Sequence, residues 1–233
     1  MSDSQIAKVA EVGFASASAY DAYRPTYPAE AVERLLQGCG MAGVKGAKIA
    51  DLAAGTGKFT EILARRPEEY DIVAIEPHDA MREELQKKAL PRVKVVKGTA
   101  DNMPEIPDES VACVIPSQVR SSWERTMRDI IWSFDDNSPR FRHEKWQQVF
   151  VDQQSLFKVP LSQDSVEFET WLPKDAVWSR LRTLSQLAIL EGEELEKVKK
   201  TFFDSVNSED TPTDESGRIA VHGRTVFFWT SKT

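Results

Sequence analysis

One stretch constrains this chain more than any other: Ile49 to Thr60, reading Ile-Ala-Asp-Leu-Ala-Ala-Gly-Thr-Gly-Lys-Phe-Thr. An apolar run passes through an acidic residue into a turn with two glycines and then into a helical pattern. A backbone that takes unusual dihedrals and comes within contact distance of a ligand cannot carry a Cβ, and Gly55 and Gly57 supply that freedom. The segment reads as a strand, a tight turn and a helix that together hold a nucleotide-type cofactor, so the chain has to build a sheet around it.

The flanking sequence keeps the same rhythm. Pro28 to Gln37 predicts a helix with Ala31, Val32, Leu35 and Leu36 on its apolar face, stopped by the glycines from Gly38 to Gly46. Lys48 to Leu52 reads as a strand, Lys58 to Arg66 as a helix, and Asp71 to Ile75 as a second strand ending at Glu76 and Pro77. Asp79 to Ala89 is an amphipathic helix, Val93 to Lys97 a third strand and Val111 to Ile115 a fourth. This βαβαβ order predicts an α/β, Rossmann-like three-layer fold with a mostly parallel sheet and helices on both faces. Past Pro116 the rhythm breaks. Helices are expected over Trp123 to Phe134, Arg140 to Gln154, Lys174 to Leu190 and Glu191 to Val206, with a strand over Val166 to Trp171. A loop over Asn207 to Gly217 then leads to a closing strand or hairpin over Ile219 to Thr230.

At 233 residues and 41% hydrophobic, the chain can fill one core. It is read as a single domain, with 1–47 a leader and helix, 48–115 a cofactor-binding half and 116–233 a divergent C-terminal half. A net charge of -7 and a pI near 5.2 argue against nucleic acid as the partner and for a small or neutral substrate. No run approaches the ~20 apolar residues of a membrane span, and Met1 to Ser4 carry no signal-peptide pattern. The expected compartment is cytoplasmic, with the nucleus not excluded. Cys39 and Cys113 are too far apart in sequence for a disulfide framework, and His78, His143 and His222 offer no metal-ligand spacing. No metal is therefore expected, and a protein partner or a homodimer is left open.

The residues around the turn discriminate between three kinds of ligand. A phosphate loop needs a glycine five positions before the Gly-Lys pair and Ser or Thr after it, but Leu52 and Phe59 stand there. A dinucleotide fingerprint wants a third glycine where Thr60 stands, which weakens an NAD-dependent oxidoreductase without removing it. S-adenosylmethionine has no phosphates and asks instead for a turn under its methionine part, an acid for its ribose and a polar loop for its adenine. Asp51 can orient the turn and meet the ligand's ammonium. Glu76, 19 residues after Gly57, stands where a carboxylate faces two ribose hydroxyls. In the loop after the third strand, Asp101 can accept the adenine amino group while Met103 packs on the ring; the plainer reading of Asp101 is a loop acid or helix cap.

With these residues the chain resembles a class I S-adenosylmethionine-dependent methyltransferase, in the small-molecule group similar to trans-aconitate methyltransferases and their fungal relatives. The resemblance is carried by Asp51 to Gly57, by Ala74-Ile75-Glu76-Pro77, by Gly98 to Pro104, and by the leader Tyr20 to Pro28. It implies that Ala53, Gly55, Thr56, Gly57, Pro77, Thr99 and Ala100 join Asp51, Glu76, Asp101 and Met103 around the cofactor. It also implies that Arg24 approaches the cofactor's carboxylate end while Tyr20 and Tyr23 help to close the pocket. Lys58 is read as a solvent-facing first-turn residue, His143 and His222 as surface or structural, and the tryptophans as core.

The pattern of the family fails after Ile115. Its usual aromatic loop, helix and glycine turn into a fifth strand are missing, a deficit of roughly 40 residues against ordinary element lengths. The fourth strand is then left with an exposed edge, or pairs with the closing strand in a new way. The function expected is methyl transfer to a small-molecule acceptor by in-line displacement, with no general base identified. The alternative is a catalytically impaired or non-catalytic relative that binds cofactor or a partner.

Overall fold

The computed structural model describes residues 17–99, 111–116, 119–134, 147–152 and 155–231. Two leading helices, α1 (Ala17–Tyr23) and α2 (Ala29–Gly38), precede a parallel sheet of β1 (Lys48–Leu52), β2 (Asp71–Ile75) and β3 (Val93–Val96) in that spatial order. The crossovers are α3 (Lys58–Ala64) and α4 (Asp79–Lys87). The register sets Ile49 opposite Ile72 and Ile72 opposite Val93. Ile72, Ala74 and Ile75 of the central strand are buried, whereas β1 is only half-buried and its Leu52 is exposed. Among the described residues no strand pairs with the other edge of β1, which accounts for that difference.

The second half supplies β4 (Val111–Pro116), α5 (Ser122–Ser133), α6 (Gln148–Asp152) and β5 (Ser162–Leu172), then α7 (Lys174–Leu181), α8 (Ser185–Ala188), α9 (Gly192–Val206) and β6 (Ile219–Thr230). Its strands form an antiparallel sheet in the order β4-β6-β5, with Ile115 opposite Val226 and Val166 opposite Thr225. The α/β layering is as expected, but the sheet is not continuous. β4 leaves the parallel set and pairs with the closing strand, the second of the two outcomes expected for its edge.

Boundary differences have local causes. The helix expected over Lys174 to Leu190 is broken, because Leu184 is extended (φ -76°, ψ 134°) and Arg182 turns its guanidinium back onto the carbonyls of Leu187 and Leu190. β5 starts four residues earlier than its alternation suggests, because β6 gives its polar Ser162 to Ser165 partners from Trp229 to Val226. Of the helix expected over Arg140 to Gln154, Gln148–Asp152 is present and most of the remainder lies outside the described residues.

α2 joins the two sheets. Its Val32 and Leu36 pack with Leu63, Tyr70 and Ile72 on the parallel side, while Ala31 and Leu35 pack with Val166 and Phe227 on the antiparallel side. Spacings of three and four residues put these pairs on neighbouring stripes of one helix. A third cluster gathers Trp123, Met127, Val177, Phe202 and Ile219 beneath α5, α7 and α9. Each fully buried large apolar side chain contributes about 1.5–3 kcal/mol relative to exposure. Among the described residues no helix is long and apolar enough to cross a membrane.

Candidate functional site

After β1 the chain turns through Ala53 to Gly57 before α3 begins. Ala53, Gly55 and Gly57 all take left-handed backbone, at φ 57°, 59° and 81°. The two glycines lack a Cβ for different reasons. A Cβ on Gly57 would lie 2.1 Å from Cδ1 of Leu85, a fully buried side chain of α4. A Cβ on Gly55 would meet nothing within 4 Å, so the turn faces open space at that residue.

Two acids flank the turn. Glu76 follows β2, and its buried carboxylate accepts the Gly55 N–H through Oε2 and the His78 N–H through Oε1, each at 2.8 Å. The sequence places this carboxylate beside a ribose; the structure seats it first against the glycine turn, with further lone pairs on each oxygen. Asp51, near the end of β1, accepts the Thr60 hydroxyl at 2.5 Å and so steadies the first turn of α3 rather than the glycines themselves. Burial pushes its carboxyl up to about 6, against the pull of the Thr60 hydroxyl and with help from the nearby charge of Glu76.

The leader lies against this turn. Asp21 on α1 accepts the hydroxyl of the buried Thr56 at 2.7 Å and the Lys88 ammonium at 2.9 Å, with Lys58 Nζ 3.8 Å away. Lys88 also reaches Glu61 at 3.1 Å. Burial works to raise the Asp21 pKa, but the hydrogen bonds from Thr56 and Lys88 and the lysine charges hold it below its ordinary value. This corrects the reading of Lys58, which is a half-buried partner of the leader and not a solvent-facing residue. Thr56, too, faces the leader.

Arg24 sits with its guanidinium 4.8 Å from the centre of the Tyr20 ring and donates through Nη2 to the Thr183 carbonyl at 3.1 Å. Tyr23 is exposed. The Pro77 carbonyl accepts from Arg82 at 3.3 Å, and Thr99 is half-buried beyond β3. Ala100, Asp101 and Met103 lie outside the described residues. The structure thus gathers Asp51, Gly55, Thr56, Gly57 and Glu76 with the leader, while 100–110, expected to meet the adenine, lie outside the described residues.

A polar cluster missed at the sequence level lies beyond the C-terminal end of β4. Ser121 and Glu124 form a reciprocal cap at the start of α5, and Glu124 also accepts the backbone N–H groups of Arg120 at 2.9 Å and His222 at 2.7 Å. His222 is not a lone histidine: its Nδ1 lies 3.1 Å from Glu124 and its Nε2 3.2 Å from Glu169. The cap motif Ser-x-x-Glu was visible in the sequence, but a contact 98 residues away was not.

Residues 49–134 match a family model described as a methyltransferase domain. An uncharacterised methyltransferase of Mycobacterium bovis is 38% identical over 108 residues, which make up 46% of this chain and 40% of that protein. The match therefore spans less than half of the curated relative. Among solved structures, a protein of Anaeromyxobacter dehalogenans described as a type II methyltransferase superposes with a TM-score of 0.56 at 14% identity, over 89% of this chain and 97% of that one. The fold is the Rossmann-like methyltransferase fold. A phosphoethanolamine N-methyltransferase of Haemonchus contortus, solved with phosphomonomethylethanolamine and S-adenosylhomocysteine, shares the methyltransferase fold at 9% identity and a TM-score of 0.51. That superposition covers 98% of this chain and 61% of the other.

Proposed function

We propose that this protein transfers a methyl group from S-adenosylmethionine to a small-molecule acceptor. The observation that carries the reading is a glycine turn flanked by two acids: Glu76 bonded to the Gly55 N–H, and Asp51 anchored at the start of α3. The match of residues 49–134 to a methyltransferase domain and the methyltransferase fold support it. The open space at Gly55 suits the methionine part of the ligand. The buried Arg24 Nε, which has no hydrogen-bond partner, suits an anionic ligand end. The acidic net charge of -7 favours a small molecule over nucleic acid as the acceptor.

When bound, S-adenosylmethionine supplies a methyl group already activated by its sulfonium. The protein's own residues then have to bind, orient and exclude water. Asp51 offers a carboxylate for the ligand's ammonium, Glu76 offers its remaining lone pairs to the ribose, and Arg24 with Tyr20 closes the leader over the site. The direct pairing of β4 with β6 supports a sheet shortened by one strand, as expected for a relative of the trans-aconitate group lacking its fifth strand.

The reading is tested by incubating the protein with S-adenosylmethionine labelled in its methyl group and a panel of small acceptors. Labelled product that disappears in Asp51→Ala is the expected result; a folded protein that labels nothing and binds no cofactor counts against it.

Asp51 also sets a pH dependence. Its folded-state pKa is raised from 3.8 to about 6, so the folded protein holds this proton more tightly than the unfolded chain does. Stability contributed by this group therefore falls as pH rises from about 4 to about 6. Cofactor binding runs the other way, because the ammonium needs the carboxylate. Affinity for S-adenosylhomocysteine is expected to drop about tenfold between pH 7.5 and pH 5. Asp51→Asn should bind weakly at every pH with that dependence gone, and a wild-type affinity that does not vary with pH would remove Asp51 from ammonium recognition.

A further inference from the structure

Arg180 on α7 has no task in the reaction outlined above. Its guanidinium makes no hydrogen bond or ion pair among the described residues, and its Nη1 is sealed from solvent without an acceptor. Nε of Arg24 is in the same state. The two are brought together by the packing of α1 on α7 and by the bond from Arg24 to the Thr183 carbonyl. Thr183 is itself tied to the Arg180 carbonyl through its N–H at 3.1 Å and its hydroxyl at 2.7 Å. Burial first, and then the positive charge of Arg24, hold the Arg180 guanidinium down to about 10, while Glu124 pulls it upward.

Glu124 is not available as the partner. It already serves the N–H groups of Arg120, Ser121 and His222. Elsewhere the chain treats a half-buried arginine differently: Arg66 is bonded to Glu33 and Glu68 at 2.8 and 2.7 Å. Two neighbouring guanidiniums withdrawn from water with donors unmet carry a free-energy cost that an anion between them would offset. Both side chains keep part of their surface in solvent, so a ligand can reach them. The face of Arg24 is covered by Tyr20 and its Nη2 is engaged, which leaves an edge suited to a planar two-oxygen anion.

We infer that Arg180 completes, beside Arg24, an anion site that receives a carboxylate, borne either by the methionine part of the cofactor, the end at which the family resemblance already sets Arg24, or by the acceptor. Only the identity of the bearer rests on the proposed methyl transfer.

The test is calorimetric titration of the full chain and of Arg180→Leu and Arg180→Gln with five probes: S-adenosylhomocysteine, 5′-methylthioadenosine (which lacks the carboxylate), succinate, citrate and inorganic phosphate. At least one carboxylate-bearing probe should bind the variants tenfold or more weakly, while 5′-methylthioadenosine is unchanged and the unfolding temperature does not fall. Loss confined to S-adenosylhomocysteine assigns the site to the cofactor, and loss confined to succinate or citrate assigns it to the acceptor. The succinate and citrate arms read the site even where no adenosyl ligand binds, so failure of the methyl-transfer reading is separable. Unchanged affinity for every carboxylate probe in both variants overturns the inference, as does a wild-type protein that binds inorganic phosphate as tightly as it binds these carboxylates.

Discussion

Glu76→Ala is expected to weaken S-adenosylhomocysteine binding about 100-fold and to lower the unfolding free energy by about 2–3 kcal/mol. The two effects share one cause. The carboxylate holds two backbone N–H groups, those of Gly55 and His78, at opposite ends of the crossing from turn to strand. Hydrogen bonds to a charged acceptor are worth about 1.5–3 kcal/mol, and removing the acceptor leaves buried donors unmet. Without that anchor the turn no longer holds the open space at Gly55, and the oxygens offered to the ribose are gone as well. Glu76→Gln keeps one acceptor oxygen and should fall between the wild type and Glu76→Ala in both measurements. Calorimetry and urea unfolding on the same preparations check this; an affinity unchanged in Glu76→Ala would take Glu76 out of cofactor binding.

Gly57→Ala and Gly55→Ala should fail in opposite ways. At Gly57 a left-handed φ of 81° costs an L-residue about 1–2 kcal/mol. The new methyl group also drives into the buried side chain of Leu85, which has to shift, adding about 1–3 kcal/mol. A loss of about 2–4 kcal/mol of stability is expected. Gly57→Ala/Leu85→Ala should lose less than the sum of its two single changes, because the second removes the obstacle met by the first. At Gly55 only the backbone strain applies, so Gly55→Ala should stay folded. Its methyl group, however, enters the space the ligand needs, and binding should be lost. Equal destabilisation by the two substitutions, with binding retained in Gly55→Ala, would refute this division of roles.

The cofactor half was legible because its information is local. β1 and β2 keep the bounds expected for them, each one residue ahead of its first apolar side chain, and the apolar face of α2 is the one it buries. Asp51, Gly55, Gly57 and Glu76 are separated by spacings that a strand-turn-helix unit fixes by itself. What the sequence hid depends on distant partners. Asp21 meets Lys88 across 67 residues, and Glu124 meets His222 across 98. Arg24 finds the Thr183 carbonyl only because α1 and α7 pack together. The same holds for the sheet. Pairing with the closing strand was one of two outcomes open to the fourth strand, and the choice falls to β6, which comes from the end of the chain. Lys58 misled for a related reason, since a first-turn lysine is exposed on an isolated helix and becomes covered only when a leader lies over it.

The account stands or falls on whether the glycine turn, held by Glu76 and flanked by Asp51, binds S-adenosylmethionine. Calorimetric titration of the purified protein with S-adenosylmethionine and S-adenosylhomocysteine, beside NAD, tests it most directly. Saturable binding of both adenosyl ligands, lost in Asp51→Ala and Glu76→Ala and absent for NAD, is the predicted result. A folded protein that binds neither, or that binds NAD in their place, would contradict it.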